Sequence, residues 1–187
     1  MSAGLRDWDG GDAIAVAAIY APYVARTTIS FEFDPPDAAE IARRLGALLA
    51  QGYPVRVAEA ADGVVGYAYA GVFRARPAYA GTVEHSVYVR EDLRRRGIGR
   101  ILLADLLERC RERGYAQVIA GISDPLANPG SVGLHRALGF AEVGLLPGVG
   151  RKFGRDLDLR FMQRGLRDAV PGATPAGKTA EVAGPGA

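Results

Sequence analysis

Residues 83–110 change from one hydrophobic periodicity to another. Apolar and polar side chains alternate from residue 83 to residue 89, which predicts a strand with Glu84 and Tyr88 on the same face. Leucines then recur at helical spacing after residue 101, which predicts a helix. Residues 94–100, between the two, are rich in arginine and glycine. The stretch therefore predicts a strand, a basic turn and a helix.

Similar patterns predict helices and strands along the rest of the chain. Asp37 and Glu40 have the spacing of a capping box, and Asp62 with Gly63 is typical of a tight hairpin. Further helices are predicted at residues 12–24, 37–52 and 131–139, the last capped by Ser131. Further strands are predicted at residues 4–8, 27–33, 55–60, 64–72, 116–122, 140–146 and 157–163.

These elements predict an α/β fold built around one sheet. Residues 55–60, 64–72 and 83–89 form an antiparallel meander, and the helical connection makes residues 116–122 parallel to 83–89. The sheet is therefore mixed, mostly antiparallel and flanked by helices. We expect a single domain over residues 1–167. Residues 168–187, rich in Ala, Gly and Pro, are predicted to be a disordered tail.

Composition narrows the classes of function. The 23 Lys and Arg residues nearly balance the 21 Asp and Glu residues, which argues against a nucleic-acid partner. The lone Cys110 excludes a disulfide framework. There is no signal-peptide pattern and no apolar run long enough to span a membrane, so we expect a cytoplasmic protein without a membrane partner. No metal is expected.

The basic turn has the composition of a pyrophosphate-binding site. Glycines let the backbone approach a ligand, a helix start presents free N–H groups, and arginines add charge. The residues alone leave two interpretations open, because a basic loop with glycines for turning has the same composition, and the spacing matches neither the dinucleotide fingerprint nor a P-loop. The candidate binding residues are Arg94, Arg95, Arg96, Gly97, Ile98, Gly99 and Arg100.

The whole segment from strand to helix resembles the acetyl-CoA-binding motif of the GNAT superfamily of N-acetyltransferases. Over roughly residues 5–164 the chain is similar to the phosphinothricin acetyltransferase family. That resemblance implies the GNAT fold, a homodimer, and transfer of acetyl from acetyl-CoA to the amine of phosphinothricin, methionine sulfoximine or methionine sulfone. The segments that carry the resemblance are T-T-I-S-F-E-F, A-Y-A-G-V-F-R-A-R-P-A-Y, V-E-H-S-V-Y-V, S-V-G-L-H-R-A-L-G-F and G-R-K-F-G-R.

The resemblance also implies roles for residues on the acetyl-CoA side. Glu84 is the expected general base, acting directly or through a water. His135 occupies the position where the superfamily often has a Tyr that protonates the departing thiolate, although a lone helical His is more often a packed residue. Asn128 resembles the residue that binds the pantetheine arm, and it is also suited to cap the helix. Val87, Tyr88, Val89 and Ser131 complete the expected acetyl-CoA contacts.

On the acceptor side, the resemblance implies that Arg74, Arg76, Tyr79 and Phe31 bind the amino acid. Arg74 and Arg76 lie two positions apart, so an extended segment directs both to one face. Two solvated loop arginines are the alternative interpretation. The chain departs from the family where Asp156 replaces an aromatic residue, and where the loop before Asn128 is about two residues longer.

Two other functions remain open from the sequence. The chain is either an N-acetyltransferase for a different amine, such as a polyamine, an aminoglycoside or a protein N-terminus, or an acyl-CoA-binding sensor without turnover. The arginine pair argues against cationic acceptors, because like charges repel. An intact Glu84 argues against the sensor.

Overall fold

The computed structural model describes residues 3–167, which form one seven-stranded sheet flanked by helices. The strands are β1 Gly4–Asp7, β2 Val55–Ala60, β3 Gly63–Val72, β4 Thr82–Val89, β5 Gln117–Ser123, β6 Ala141–Lys152 and β7 Arg155–Gly165. Their order in the sheet is β1-β2-β3-β4-β5-β7-β6. The β4–β5 pair is parallel and the other pairs are antiparallel. The predicted fold class, a mixed and mostly antiparallel sheet flanked by helices, is confirmed.

Four α-helices connect and cover the strands in the described part of the chain. The predicted cap of the second helix is present, because Asp37 accepts a hydrogen bond from the backbone N–H of Glu40. None of these helices is long and apolar enough to cross a membrane, as far as residues 3–167 are concerned. The helices are α1 Ala13–Arg26, α2 Ala38–Ala50, α3 Ile98–Glu112 and α4 Pro129–Ala137.

Different helices cover the two faces of the sheet. On one face, Val57 of β2 belongs to the buried cluster formed with α1 and α2. On the other face, Val83 of β4 packs in the same cluster as Leu102 of α3. Because successive strand side chains point to opposite faces, Glu84 lies on the α1–α2 face and His85 on the α3–α4 face. Two neighbouring residues of β4, Glu84 and His85, therefore lie in two chemically different environments.

The prediction of a strand at residues 27–33 is wrong, because this segment is a loop. Its small polar side chains are buried and bind side chains from distant elements instead of a neighbouring strand. Thr28 donates to Asp124 Oδ2 over 2.7 Å, and Lys152 Nζ donates to the carbonyl of Ser30 over 2.8 Å. Strand propensity expresses a fit to a pleated surface, and here the segment makes side-chain and backbone contacts to other elements instead of pairing with a strand.

Two further boundaries differ from the sequence prediction. Helix α4 begins at Pro129 rather than after Ser131, because proline fits the first helical position, where no N–H is needed. The β6–β7 hairpin is longer than predicted and turns at Phe153 and Gly154, with φ of 50° and 73°. Both values are positive, as in the primed turns that match strand twist. The predicted tail at 168–187 lies outside the described residues.

Candidate active site

A cleft opens where β4 and β5 separate. The two strands pair only from Thr82 to His85, although both strands continue beyond those residues. The separated ends line a cavity of about 340 Å³, which we call the β4–β5 cleft. The backbone of β4 that faces β5 has no strand partner there, so its N–H groups are available to a ligand, whereas the carbonyl of Val89 accepts from the Tyr23 hydroxyl. An extended amide-containing ligand fits such a strand edge.

The basic turn lies at the end of this cleft. Gly97 precedes α3 with φ of +85°, a left-handed conformation that other residues adopt only with strain. No side chain caps the helix, so its first N–H groups are free for an anion. Arg95 also has a positive φ, of 62°, which is unusual for a residue with a side chain. The backbone is thus shaped to present N–H groups and charge together.

Most of the residues predicted to bind acetyl-CoA line the β4–β5 cleft. Arg96 and Ile98 are not among its lining residues, and Ile98 is 5% exposed in the core under α3. Arg94 lies over the ring of Tyr23, with Cζ 5.7 Å from the ring centroid. The predicted residues that line the cleft are Val87, Tyr88, Val89, Arg94, Arg95, Gly97, Gly99, Arg100, Asn128, Ser131 and His135.

Asn128 reaches the cleft through the loop that follows β5. Its backbone N–H donates to the carbonyl of Asp124 over 3.0 Å, and its side chain makes no cap for α4. Asp124 has φ of +42° and its carboxylate accepts from Thr28. The loop is therefore held by hydrogen bonds of the buried Asp124 and brings Asn128 to the cleft wall.

Two buried histidines meet at the inner wall of the cleft. His135 Nδ1 lies 2.7 Å from the carbonyl of Ser131, and its Nε2 lies 3.1 Å from His85 Nε2. A carbonyl only accepts, so the proton of neutral His135 is on Nδ1, and His85 Nε2–H must donate to His135 Nε2. The Nδ1 of His85 is then a buried acceptor without a partner among the described residues.

Burial keeps both imidazoles uncharged. It lowers the pKa of His85 to about 3, with the neighbouring His135 acting in the same direction. Burial also lowers the pKa of His135, against the opposing effect of its hydrogen bond to Ser131. In this arrangement the only N–H of His135 is bound to a carbonyl. The geometry therefore favours the packed interpretation of His135 over a proton donor.

Glu84 lines neither the β4–β5 cleft nor a second cavity itself, but its carboxylate lies beside a residue that connects the two. A Cβ built on Gly121, a lining residue of the cleft, would be only 3.0 Å from Glu84 Oε1 and 3.9 Å from the ring of Phe161, which lines the second cavity. Burial raises the pKa of the Glu84 carboxyl above its usual value, and the charge of Arg74 opposes this rise. A carboxylate in this environment is suited to proton transfer.

The second cavity, of about 320 Å³, lies on the α1–α2 face of the sheet where neither helix covers it, and we call it the β5–β7 cavity. Its apolar wall is formed by residues such as Ile119 and Phe161. Arg74 and Tyr79, both predicted to bind the acceptor, are also among its lining residues. The ring of Tyr79 contacts that of Phe73 edge to face, at 5.7 Å between centroids.

The other predicted acceptor residues lie outside this cavity. Arg76 is exposed and lines neither cavity. Phe31 lines neither cavity and packs on Gly150, where a Cβ would overlap with the ring. Asp156, which replaces a family aromatic residue, forms an exposed ion pair with Arg151 at 3.0 Å.

Sequence reasoning missed several residues that line the two cavities. His85 was assigned to a strand face without a function, and its partner lies 50 residues away. Gly121 had no motif around it. Gln117 and Gln163 line the β5–β7 cavity and bind each other, but they are 46 positions apart. Only the pairing of β5 with β7 brings these glutamines together, and the sequence contains no local signal for that contact.

Known proteins resemble this chain over most of its length. It is 46% identical over 167 residues to an L-methionine sulfoximine/L-methionine sulfone acetyltransferase of Pseudomonas paraeruginosa, covering 89% of this chain and 96% of the relative. It is 45% identical to a phosphinothricin N-acetyltransferase of Alcaligenes faecalis, covering 83% of this chain and 78% of the relative. The predicted resemblance to phosphinothricin acetyltransferases is confirmed.

Solved structures share the fold. A phosphinothricin acetyltransferase from Sinorhizobium meliloti, in complex with acetyl-CoA, is 43% identical with a TM-score of 0.85, over 97% of this chain and 95% of the other. A putative acetyltransferase from Salmonella typhimurium, with acetyl-CoA, is 37% identical with a TM-score of 0.85, over 93% and 100% of the two chains. The predicted GNAT fold and the predicted class of N-acetyltransferase are both confirmed. Since the acetyltransferase (GNAT) family also matches residues 9–140, the chain belongs to that family.

Proposed function

We propose that this protein transfers acetyl from acetyl-CoA to the α-amine of a small amino acid of the phosphinothricin, methionine sulfoximine or methionine sulfone type. The single observation that carries the proposal is the position of Glu84, whose half-buried carboxylate lies beside Gly121, a residue of the β4–β5 cleft that also neighbours Phe161 of the β5–β7 cavity. One cavity has a strand edge and a basic helix start that suit a pantetheine arm and a pyrophosphate. The other has a guanidinium that suits a carboxylate.

The reaction follows from this placement. Glu84 takes a proton from the acceptor's ammonium, directly or through a water. The free amine attacks the acetyl carbonyl, and the new N–C bond gives a tetrahedral intermediate with a protonated nitrogen. The C–S bond then breaks, the nitrogen gives up this second proton, and coenzyme A leaves as a thiolate that takes up a proton from the nitrogen or from solvent. Unpaired N–H groups on β4 stabilise the oxyanion, because the strand separation leaves them without partners.

The acceptor is bound as an α-amino acid by Arg74 and Glu84. Arg74 lines the β5–β7 cavity, and its positive charge lowers the pKa of the Glu84 carboxyl against the effect of burial. An α-amino acid carries its carboxylate and its amine on one carbon. Its carboxylate therefore binds Arg74, and its amine lies at Glu84. The same guanidinium repels a cationic acceptor such as a polyamine. Arg76, Tyr79 and Phe31 remain proposed contributors to this site.

His135 serves as a wall of the acetyl-CoA site rather than as a proton donor, because Ser131 holds its N–H. Positive charge for the pyrophosphate comes from four arginines, Arg94, Arg95, Arg96 and Arg100. Three of them, Arg94, Arg95 and Arg100, line the cleft and bind the pyrophosphate directly. Gly97, Ile98 and Gly99 supply the helix start. Val87, Tyr88 and Val89 supply the strand edge, with Asn128 beside them.

We infer a homodimer in the cytoplasm. Apolar side chains of β6 support the dimer, because Val143, Leu145, Leu146 and Val149 are each 43–54% exposed along one edge strand of the sheet. Sedimentation equilibrium tests this inference, and a monomer at micromolar concentration would contradict it. The free buried thiol of Cys110 is consistent with a reducing compartment.

The proposal is tested by incubating the purified protein with acetyl-CoA and a panel of amines, with products identified by mass spectrometry. The panel contains the three amino acids named above, a polyamine and an aminoglycoside. We expect N-acetylation at the α-amine of at least one of the three amino acids. Acetylation confined to the cationic amines would contradict the proposal.

A further inference from the structure

The β5–β7 cavity contains a pair of side-chain amides that the proposed reaction does not use. Gln163 Nε2 donates to Gln117 Oε1 over 2.9 Å. The NH₂ of Gln117 and the carbonyl of Gln163 make no further hydrogen bond to any of residues 3–167. Both side chains are partly buried and line the cavity next to Ile119 and Phe161. One amide donor group and one amide acceptor group are therefore available in a cavity that is also lined by Arg74, Tyr79 and Thr82.

The charge lining this cavity is limited to a single group. Of the ten lining residues in the described chain, Arg74 alone is ionisable at neutral pH. One anionic group of a ligand is therefore neutralised. A second anionic group would be removed from water without a counter-charge, which is strongly unfavourable in a partly apolar site.

We propose that the β5–β7 cavity selects acceptors whose side chain ends in a neutral polar group, which we call the head. We propose that Gln117 and Gln163 recognise this head by hydrogen bonds. This inference rests on the proposed function, because it assumes that Arg74 holds the carboxylate of an α-amino acid. The acceptors it favours are the sulfone and the sulfoximine of methionine. The acceptor it disfavours is phosphinothricin, whose phosphinate is a second anion.

The chemistry of the two heads matches the amide pair. A sulfone presents two oxygens that accept hydrogen bonds, and a sulfoximine presents an oxygen that accepts and an N–H that donates. The free NH₂ of Gln117 and the free carbonyl of Gln163 offer the complementary groups. The methylene groups between head and α-carbon meet Ile119 and Phe161, which are apolar.

The experiment compares kcat/KM for four acceptors at saturating acetyl-CoA: L-methionine sulfone, L-methionine sulfoximine, L-phosphinothricin and L-methionine. We expect the sulfone and the sulfoximine to exceed phosphinothricin by at least about tenfold, because the cavity leaves a phosphinate charge unpaired. Gln117→Leu and Gln163→Leu should each lower the ratio of sulfone to methionine by about five- to tenfold, the effect of one hydrogen bond. Gln163→Lys should raise the ratio of phosphinothricin to sulfone.

Gln51 provides the matched control. It is exposed at the end of α2, binds only the carbonyl of Ala47 over 3.0 Å, and lines neither cavity. Gln51→Leu should leave all four ratios unchanged. The KM for acetyl-CoA and the thermal midpoint of each variant report whether the fold is intact.

Three results would overturn the inference in distinguishable ways. A kcat/KM for phosphinothricin equal to or above that of the sulfone would show that the cavity accepts a second anionic group and does not select a neutral head. Leu variants that reduce sulfone and methionine equally would show that the glutamines support the site without reading the head. No acetylation of any of the four acceptors would overturn the proposed function itself, and this inference with it.

Discussion

The β4–β5 cleft and the β5–β7 cavity are similar in volume but are built in different ways. The cleft takes half of its lining residues from one continuous stretch, residues 85–100, which runs from β4 through the turn to the start of α3, and this stretch presents backbone groups and arginines. The cavity takes its wall from side chains on β4, β5, β6 and β7 and on the segment after β3. A backbone-built site suits the constant substrate of a family, whereas a site built from scattered side chains can differ between members.

The largest loss of activity is expected when Glu84 is substituted. Glu84→Gln keeps the shape of the side chain and removes the base, so kcat/KM should fall roughly 10²- to 10⁴-fold. Steady-state kinetics with L-methionine sulfone measures this. Calorimetry should show that acetyl-CoA affinity is retained, and a variant with near wild-type turnover would refute the role of Glu84.

The next effect tests the contact between the cleft wall and the base. Gly121→Ala places a methyl group 3.0 Å from Glu84 Oε1, so the carboxylate must move and kcat should fall roughly ten- to a hundredfold. Gly133→Ala is the control, since it adds a methyl group where nothing lies within 4 Å. Equal kinetics for the two variants would show that the position of Glu84 is not critical.

Folding stability should fall as the solution is acidified below pH 6.5. Burial depresses the pKa of His85 to about 3, so the unfolded chain binds a proton before the folded chain does. The loss approaches about 1.4 kcal/mol per pH unit between pH 6.5 and the folded pKa. The raised pKa of Glu84 acts in the opposite direction, because the folded state then binds the proton first.

Urea denaturation between pH 7 and pH 5 measures this loss, and the comparison with His85→Gln separates the histidine from Glu84. The variant should show a smaller decrease in the free energy of unfolding over this range. If wild type and variant lose stability in parallel, His85 is not the buried neutral group described above.

A comparison of two arginines tests which one faces the acceptor. Arg74→Gln should raise the KM for the amino acid by about tenfold, because it removes the single cation that lines the β5–β7 cavity. Arg76→Gln should have a smaller effect, since Arg76 lines neither cavity. Equal increases in KM for the two variants would show that both arginines bind the amino acid, as the sequence predicts.

The smallest effect concerns the turn at the helix start. Gly97→Ala strains a residue with φ of +85° and should raise the KM for acetyl-CoA severalfold, at a stability cost of about 1–2 kcal/mol. Gly114→Ala, at φ of +83° just beyond the other end of α3, carries the same strain away from the cleft. Its KM for acetyl-CoA should not change. Identical values of KM for acetyl-CoA in the two variants would show that the turn does not contribute to acetyl-CoA binding.

The two regions also differ in how far the sequence predicts them. Periodicity locates β4, the turn and α3, because alternation and helical spacing are local properties. The sequence does not predict the meeting of Gln117 with Gln163, or of His85 with His135, because strand order and helix packing set these contacts. Residues 27–33 mislead for a related reason, since they are held by distant residues: the Thr28 hydroxyl donates to Asp124, and Lys152 donates to the backbone carbonyl of Ser30.

The release of coenzyme A thiol by the wild-type protein tests the central claim most directly, namely that the two cavities hold the donor and the acceptor of one transfer reaction on either side of Glu84. The rate is measured with acetyl-CoA alone and with acetyl-CoA plus L-methionine sulfone, sulfoximine or phosphinothricin. We expect rapid release only when an amino acid is present, with one N-acetylated product formed per thiol. Tight binding of acetyl-CoA without thiol release in the presence of any amine would contradict the account and would identify an acyl-CoA sensor instead.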